Sequence, residues 1–103
     1  MKRVKRRYLA VQLEMDGVPS EKEFMDAVWG SVTRLYGEVG ASLTSMALIS
    51  FDASCNVAIV RTSLEMLDSV RASLACITSV AGKGAAVHVL SVSGTIKSLF
   101  ERL

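Results

Sequence analysis

A single α+β domain across residues 1–103 is what this sequence predicts: a four-stranded antiparallel sheet, two helices on one face and a short C-terminal helix. Three observations carry that expectation. Residues Arg6–Glu14 alternate apolar and polar side chains with the period of a half-buried strand. At Ser20 and again at Thr62, a hydroxyl residue is followed three positions later by Glu, and apolar residues then recur at spacings of three and four. Half of the residues are hydrophobic and only one is Pro, which suits one modest core burying roughly 60–65% of the unfolded surface.

The elements follow in order. In the first strand Leu9, Val11 and Leu13 share one face, and Tyr8, Ala10 and Gln12 the other. DGVPS ends it. The Ser20/Glu23 capping box opens a helix expected to run to about Tyr36 and to stop near Gly37. Its apolar residues Phe24, Met25, Val28, Trp29, Val32, Leu35 and Tyr36 span about 140°, wider than one packed face requires. Phe24, Val28 and Leu35 lie at one edge of that arc, facing the sheet; Trp29 and Tyr36 lie at the other, which we assign to a partner interface. A Gly-Glu-Val-Gly turn leads to a strand over Met46–Phe51, and DASCN turns the chain into a third strand over Val57–Thr62. Thr62 and Glu65 form the second capping box, before a helix with the stripe Leu64, Leu67, Val70, Leu74 and Ile77. Gly82-Lys83-Gly84 breaks the chain before a strand over Ala86–Val92. Ser93-Gly94-Thr95 then starts a last helix carrying Ile96, Leu99, Phe100 and Leu103. The order β-α-β-β-α-β is that of the ferredoxin-like, or RRM-like, sandwich, an arrangement too widely used to fix a function.

Charge is distributed unevenly. Lys2, Arg3, Lys5, Arg6 and Arg7 fall within the first seven residues, leaving seven Lys and Arg against ten Asp and Glu for the rest. A basic arm (residues 1–7) on a mildly acidic body suits a polyanionic partner. The apolar run Tyr8–Leu13 is interrupted by Gln12 and stops at Glu14, too short for the core of a secretory signal, and no stretch reaches the roughly 18 apolar residues of a membrane span. A soluble cytoplasmic protein without membrane contact is therefore expected. Cys55 and Cys76, far apart and with a single His in the chain, suit reduced, buried thiols better than a metal or redox site.

The chemistry-bearing residues are few. RNA-recognition domains stack bases on aromatic residues of the first and third strands. Tyr8 fills the first place, but Val57 and Ile59 occupy the third strand, so the stacking platform is missing and an aliphatic outer face needs a cover. Val57 and Ile59 join Trp29 and Tyr36 as candidate partner contacts. The terminal helix, at roughly nine residues or about 14 Å, covers one of these surfaces but not both. No catalytic residue is assigned: His88 is the sole histidine and has no converging group. Glu14 and Asp16 read as a solvated turn, because hard-ion sites need more oxygens, and no metal site is assigned. Ser93-Gly94-Thr95-Ile96-Lys97 places a strand end, a permissive glycine and a helix start beside a lysine, a combination open to phosphate as well as to plain capping. Arg34, Arg61, Arg71 and Lys83 are scattered, with Arg71 placed to pair with Asp68 along a helix.

KRRYLAVQLE, FMDAVWGSVTRLYGEVGAS, LISFD and GKGAAVHVLSVSGTIK, in order from Lys5 to about Leu99, resemble the archaeal form of the ribonuclease P protein component 2 family. The turn DASCN lacks the acidic residues that the resemblance leads one to expect, and the final helix is short. The resemblance implies a noncatalytic, RNA-binding subunit of a ribonucleoprotein endonuclease that removes the 5′ leader from precursor tRNA. It implies that ribonuclease P RNA holds the catalytic Mg2+, with no cofactor bound by the protein itself. It also implies a TIM-barrel-like partner, component 3, that activates the RNA together with this subunit. Lys5, Arg6, Arg7 and Tyr8 match KRRY, and Gly94, Thr95 and Lys97 match VSGTIK; these are the RNA-binding candidates, with Lys2 and Arg3 added on charge alone. Self-association through the uncovered apolar surfaces is expected as well. Two rivals share the strand–helix order. A ligand-sensing regulatory domain of the ACT type would use the first strand–helix loop, yet DGVPS lacks the Gly that type prefers after Pro19. An acylphosphatase-like enzyme would need an arginine in that loop, and Glu14–Ser20 contains none.

Overall fold

The computed structural model describes residues 5–101, so Lys2, Arg3 and Leu103 fall outside the described residues. Eight elements follow one another: β1 (Arg6–Met15), α1 (Glu21–Leu43), β2 (Ala47–Asp52), β3 (Val57–Ser63), α2 (Leu67–Ala75), β4 (Ser79–Val80), β5 (Lys83–Ser93) and α3 (Ile96–Glu101). The sheet order is β2-β3-β1-β5-β4, every neighbouring pair antiparallel. The expected α+β class holds, with five strands in place of four. The addition is the two-residue β4, which folds onto β5 through Ala81 and Gly82, both at positive φ (54° and 79°), the signature of a type I′ hairpin.

β1 lies at the centre because its inner face is wholly apolar. Leu9, Val11 and Leu13 are buried with Ala58 and Val60 of β3 against Phe24, Val28 and Val32 of α1 and Val70 and Leu74 of α2. Deeply buried aliphatic side chains of this kind contribute about 1.5–3 kcal/mol each. Trp29 is half-buried and rims this core, while the expected core residue Leu35 is 43% exposed. Leu64, expected in the α2 stripe, is exposed too.

Both differences have a local cause. Ser20 caps α1 as expected, its Oγ accepting from the Glu23 amide (3.1 Å) and the Glu23 carboxylate accepting from the Ser20 amide (2.9 Å). The helix breaks at Gly37 (φ 75°, ψ 176°), a conformation open essentially to glycine, and then resumes to Leu43. The Gly-Glu-Val-Gly stretch is thus a kink with a further helical turn. Gly40 allows the resumed turn to close on Tyr36, since a Cβ at position 40 would stand 2.7 Å from Tyr36 Cβ. Leu35, Tyr36, Val39 and Leu43 are left exposed at this end. Thr62 does not cap α2: it lies in β3, and its hydroxyl donates to the Thr44 carbonyl (2.9 Å), tying the end of α1 to the sheet. α2 accordingly starts later, at Leu67, with no side-chain cap on its first turn.

Two bulges shape the outer face of the sheet. Between Ala10/Ser91 and Val11/Val89 the β1–β5 register shifts, leaving Leu90 as the extra residue; Ile49 is the extra residue where β2 meets β3. Both bulge residues are exposed. Cys55 and Cys76 are free but exposed rather than buried, one in the β2–β3 turn and the other at the C-cap of α2. Neither position reaches the core. Arg71 and Asp68 form no ion pair; among the described residues the one ion pair joins His88 and Glu14.

Candidate nucleic-acid interface

The outer face of β3 reads Val57, Ile59, Arg61, and those three residues mark three different environments. At the Val57 end lies an open groove of about 760 Å3 lined by Phe51, Val57, Leu90 and Phe100 together with Asp52 and Cys55. Ile59, at the centre, is buried with Ala10 and Leu99, and Tyr8 packs against that cluster. The expectation that Ile59 lies open for a partner is therefore corrected: α3 crosses the outer face and seats Leu99 on it. Tyr8 is half-buried in the same contact and does not form a free stacking platform.

At the Arg61 end the two sequence stretches singled out for RNA meet. Arg6 pairs with Ser63, Arg7 with Thr62 and Tyr8 with Arg61, while on its other side Tyr8 pairs with Ser93. The amide of Leu64 donates to the Lys5 carbonyl (2.8 Å), so the chain leading into β1 is held from its first described residue. Arg7 Nη1 donates to the Arg6 carbonyl (2.9 Å), and its guanidinium lies against Gly94, where a Cβ would stand 3.4 Å from Nη1 and 3.6 Å from Cζ. Gly94 thus matters for what it leaves vacant beside Arg7. Thr95 caps α3: its hydroxyl accepts from the Ser98 amide (3.2 Å), and its carbonyl accepts from the Leu99 amide (3.2 Å). Of the two readings open for SGTIK, the cap is the one its hydroxyl performs. Lys97 is exposed in the first turn of the helix.

Lys5, Arg6, Arg7 and Arg61 thus lie at one end of the β1–β3 pair, Arg6 and Arg61 on the outer face and Arg7 on the opposite one, and among the described residues neither they nor Lys97 forms an ion pair. Such a group of cations, without an ion-pair partner among the described residues, attracts anions. Arg61 looked scattered in the sequence. Only the β1–β3 register, which sets it beside Tyr8, brings it here, and its even spacing from Val57 and Ile59 is the sole sequence signal for the face it occupies.

The opposite end of β1 is differently arranged. His88 Nε2 lies 2.9 Å from Glu14 Oε2, both side chains well exposed, so the histidine has a partner across the β1–β5 pair. Gln12 Nε2 donates to the Cys55 carbonyl (2.7 Å) and Asn56 Nδ2 to the Gly17 carbonyl (3.2 Å). The Asp52 carboxylate accepts from the Ser54 hydroxyl (2.6 Å) and the Ser54 amide (3.0 Å), which hold it below its ordinary pKa. No three His, Cys, Asp or Glu side chains converge among the described residues, and Glu14 with Asp16 makes no such group. The β1–α1 loop, where an ACT-type ligand would sit, lines only about 130 Å3, below the several hundred Å3 of ordinary small-molecule pockets. No helix of the described residues is long and apolar enough to cross a membrane.

The chain is similar to known proteins along nearly its whole length. Residues 7–103 match the Rpp14/Pop5 family. The chain is 34% identical over 97 residues to ribonuclease P protein component 2 of Pyrococcus horikoshii, covering 94% of this chain and 81% of that one. It is 35% identical over 100 residues to the protein of the same name in Methanosarcina mazei, covering 97% and 84%. Among solved structures, a chain of yeast ribonuclease MRP determined by cryo-EM superposes with a TM-score of 0.74 over 92% of this chain and 78% of that one; at 14% identity this is a likeness of fold.

Proposed function

The chain belongs to the Rpp14/Pop5 family, and from that membership we propose that it is an RNA-binding protein subunit of ribonuclease P, activating the catalytic RNA for removal of the 5′ leader from precursor tRNA. The observation that carries this reading is the family match over nearly the whole chain. The unpaired cationic corner supports it by offering a surface for phosphate. The assembly is an endoribonuclease; its catalysis belongs to the RNA, and we assign the Mg2+ of the reaction to that RNA rather than to this chain. The protein's part is electrostatic and positional. Lys5, Arg6 and Arg7, with Lys2 and Arg3 of the arm, neutralise backbone phosphates and release their counterions, while Tyr8, Gly94 and Thr95 fix the corner and Lys97 extends it.

The partners of this subunit are the ribonuclease P RNA and other protein subunits, which we take to include component 3, with precursor tRNA engaged through the complex. Tyr36, with Leu35, Val39 and Leu43 beyond the edge of Trp29, supplies one uncovered apolar surface for protein contact, including self-association; Val57, in the groove with Leu90 and Phe100, supplies another. Work in the cytoplasm suits such a subunit. Reconstitution tests the whole reading. Leader removal from precursor tRNA is expected only when the chain is combined with its cognate RNA and component 3 in Mg2+, and the chain alone is expected to cleave nothing. Equal processing with and without the chain, at several Mg2+ concentrations, would refute it.

A further inference from the structure

Arg61 is the one cation of this corner with a nitrogen sealed from solvent. Its Nε is buried and has no hydrogen-bond partner, and among the described residues its guanidinium makes neither a hydrogen bond nor an ion pair. It stands between Tyr8 of β1 and Ala47 of β2, neither of which offers a carboxylate. Because Arg6 pairs with Ser63 and Tyr8 with Arg61, Arg6 and Arg61 are diagonal neighbours on the same face of the sheet. Two like charges so placed repel, and a buried donor without an acceptor carries its full desolvation cost. Nε itself is sealed, but the side chain is only part-buried and its outer nitrogens are not among the buried unsatisfied atoms, so an external anion meets the guanidinium through them. The planar, always-charged fork of Arg fits a phosphate with two parallel bonds.

We propose that Arg61 is a phosphate-binding residue for the RNA backbone, contributed by β3 rather than by the basic arm and acting with Arg6 across Tyr8. The inference rests on the RNA-binding reading above. Its ligand class is a phosphodiester of folded RNA; an acidic segment of a partner protein is the competing source. Because it reads phosphate rather than a base, Arg61 contributes affinity and register without sequence preference.

The test uses the full chain and its cognate ribonuclease P RNA, titrated between 50 and 300 mM salt, with Arg61→Met, Arg61→Lys and the arm variant Arg6→Ala/Arg7→Ala. Arg61→Met is expected to weaken binding about tenfold at the lower salt and to flatten the log–log salt slope by about one. Arg61→Lys keeps the charge, so it should retain the slope while losing part of the affinity. Thermal melting without RNA separates ligand contact from scaffolding: Arg61→Met should melt at or above the parent temperature, since it removes an uncompensated charge. Parent-like affinity and slope for Arg61→Met, while the arm variant loses both, would overturn the role of Arg61 and leave the RNA-binding reading intact. Salt-independent binding by the parent and all variants would remove that reading as well. Loss of component 3 binding by Arg61→Met with unchanged RNA binding would assign the site to an acidic protein segment and overturn the proposal. Should Arg61→Met fail to fold, the role is structural and the proposal fails, unless a folded Arg61→Gln shows the same flattened slope.

Discussion

The two ends of the outer sheet face are built from the same three strands, yet they treat charge in opposite ways. At the Glu14 end the carboxylate meets His88, Gln12 satisfies the Cys55 carbonyl, and Asp52 is held by Ser54. At the Arg61 end the cations form no ion pair among the described residues, while each end leaves one buried side-chain atom unsatisfied, Arg61 Nε here and Asn56 Oδ1 at the other. A folded chain satisfies its own polar groups wherever it can, because leaving one unsatisfied costs about 1–3 kcal/mol. The contrast is therefore one of charge: cations without an ion-pair partner attract an anion from outside. The open groove lined by Phe51, Val57, Leu90 and Phe100 lies at the other, apolar end of the face.

The strongest way to break the contrast is to remove what separates the two ends. Leu99 is fully buried between them on Ala10 and Ile59. Leu99→Ala should cost about 2–5 kcal/mol in denaturant unfolding, and in the protein that remains folded it should loosen Tyr8 and weaken RNA binding. A loss below about 1 kcal/mol would mean that α3 does not seal the face. Next in size is the charge itself. Arg6→Ala/Arg7→Ala should flatten the salt slope of RNA binding by up to about two and leave the melting temperature nearly unchanged. His88→Ala at the far end should leave slope and pre-tRNA processing as in the parent and cost less than about 1 kcal/mol of stability, as for other exposed pairs. If His88→Ala matched the arginine variant in RNA binding, the asymmetry would be false.

The smallest expected effect concerns acid. The Ser54 hydroxyl, and then its amide, depress the Asp52 pKa below its ordinary 3.8. A depressed folded-state value means stability that is present above the unfolded pKa and lost as pH falls through the folded one. Ser54→Ala should therefore lower the melting temperature slightly at neutral pH, with the difference from the parent shrinking at pH below about 3.8. A difference that grew toward acid would reverse the assignment.

Much of this was legible in the sequence, and the remainder was not for physical reasons. Strict alternation in β1 predicted its two faces because a central strand between layers has no freedom to slip. Ser20 and Glu23 predicted the start of α1 because a capping box is closed by residues within one turn. Thr62 carried the same signal and misled, because its hydroxyl found a carbonyl at Thr44, distant in the chain. Gly37 announced an end to the helix; that the helix resumed depends on Gly40 meeting Tyr36, which no periodicity encodes. For the site, the clustered cations of KRRY were visible and Arg61 was not. Its meaning comes from register alone: one position along β3 either way would turn it to the core face. The shielding of Ile59 was likewise hidden, since only the packing of α3 chooses which apolar surface it covers.

The placement of β1 has a consequence for how the chain acquires its shape. The strand made first is the central one, and it must wait for both of its neighbours, with Tyr8 pairing ultimately to Ser93 near the other end of the chain. During synthesis on the ribosome its apolar face, Leu9, Val11 and Leu13, has no complete sheet to join until β5 has emerged. Folding dominated by such distant pairings is slow compared with that of helical domains of equal size. The β2–β3 hairpin, closed by a short turn, is the most local of the long pairings, whereas β1 and β5 join residues far apart in the chain. The cationic end sets Arg7 beside Gly94, two positions far apart in the chain, so that contact exists only when β1 and β5 are paired.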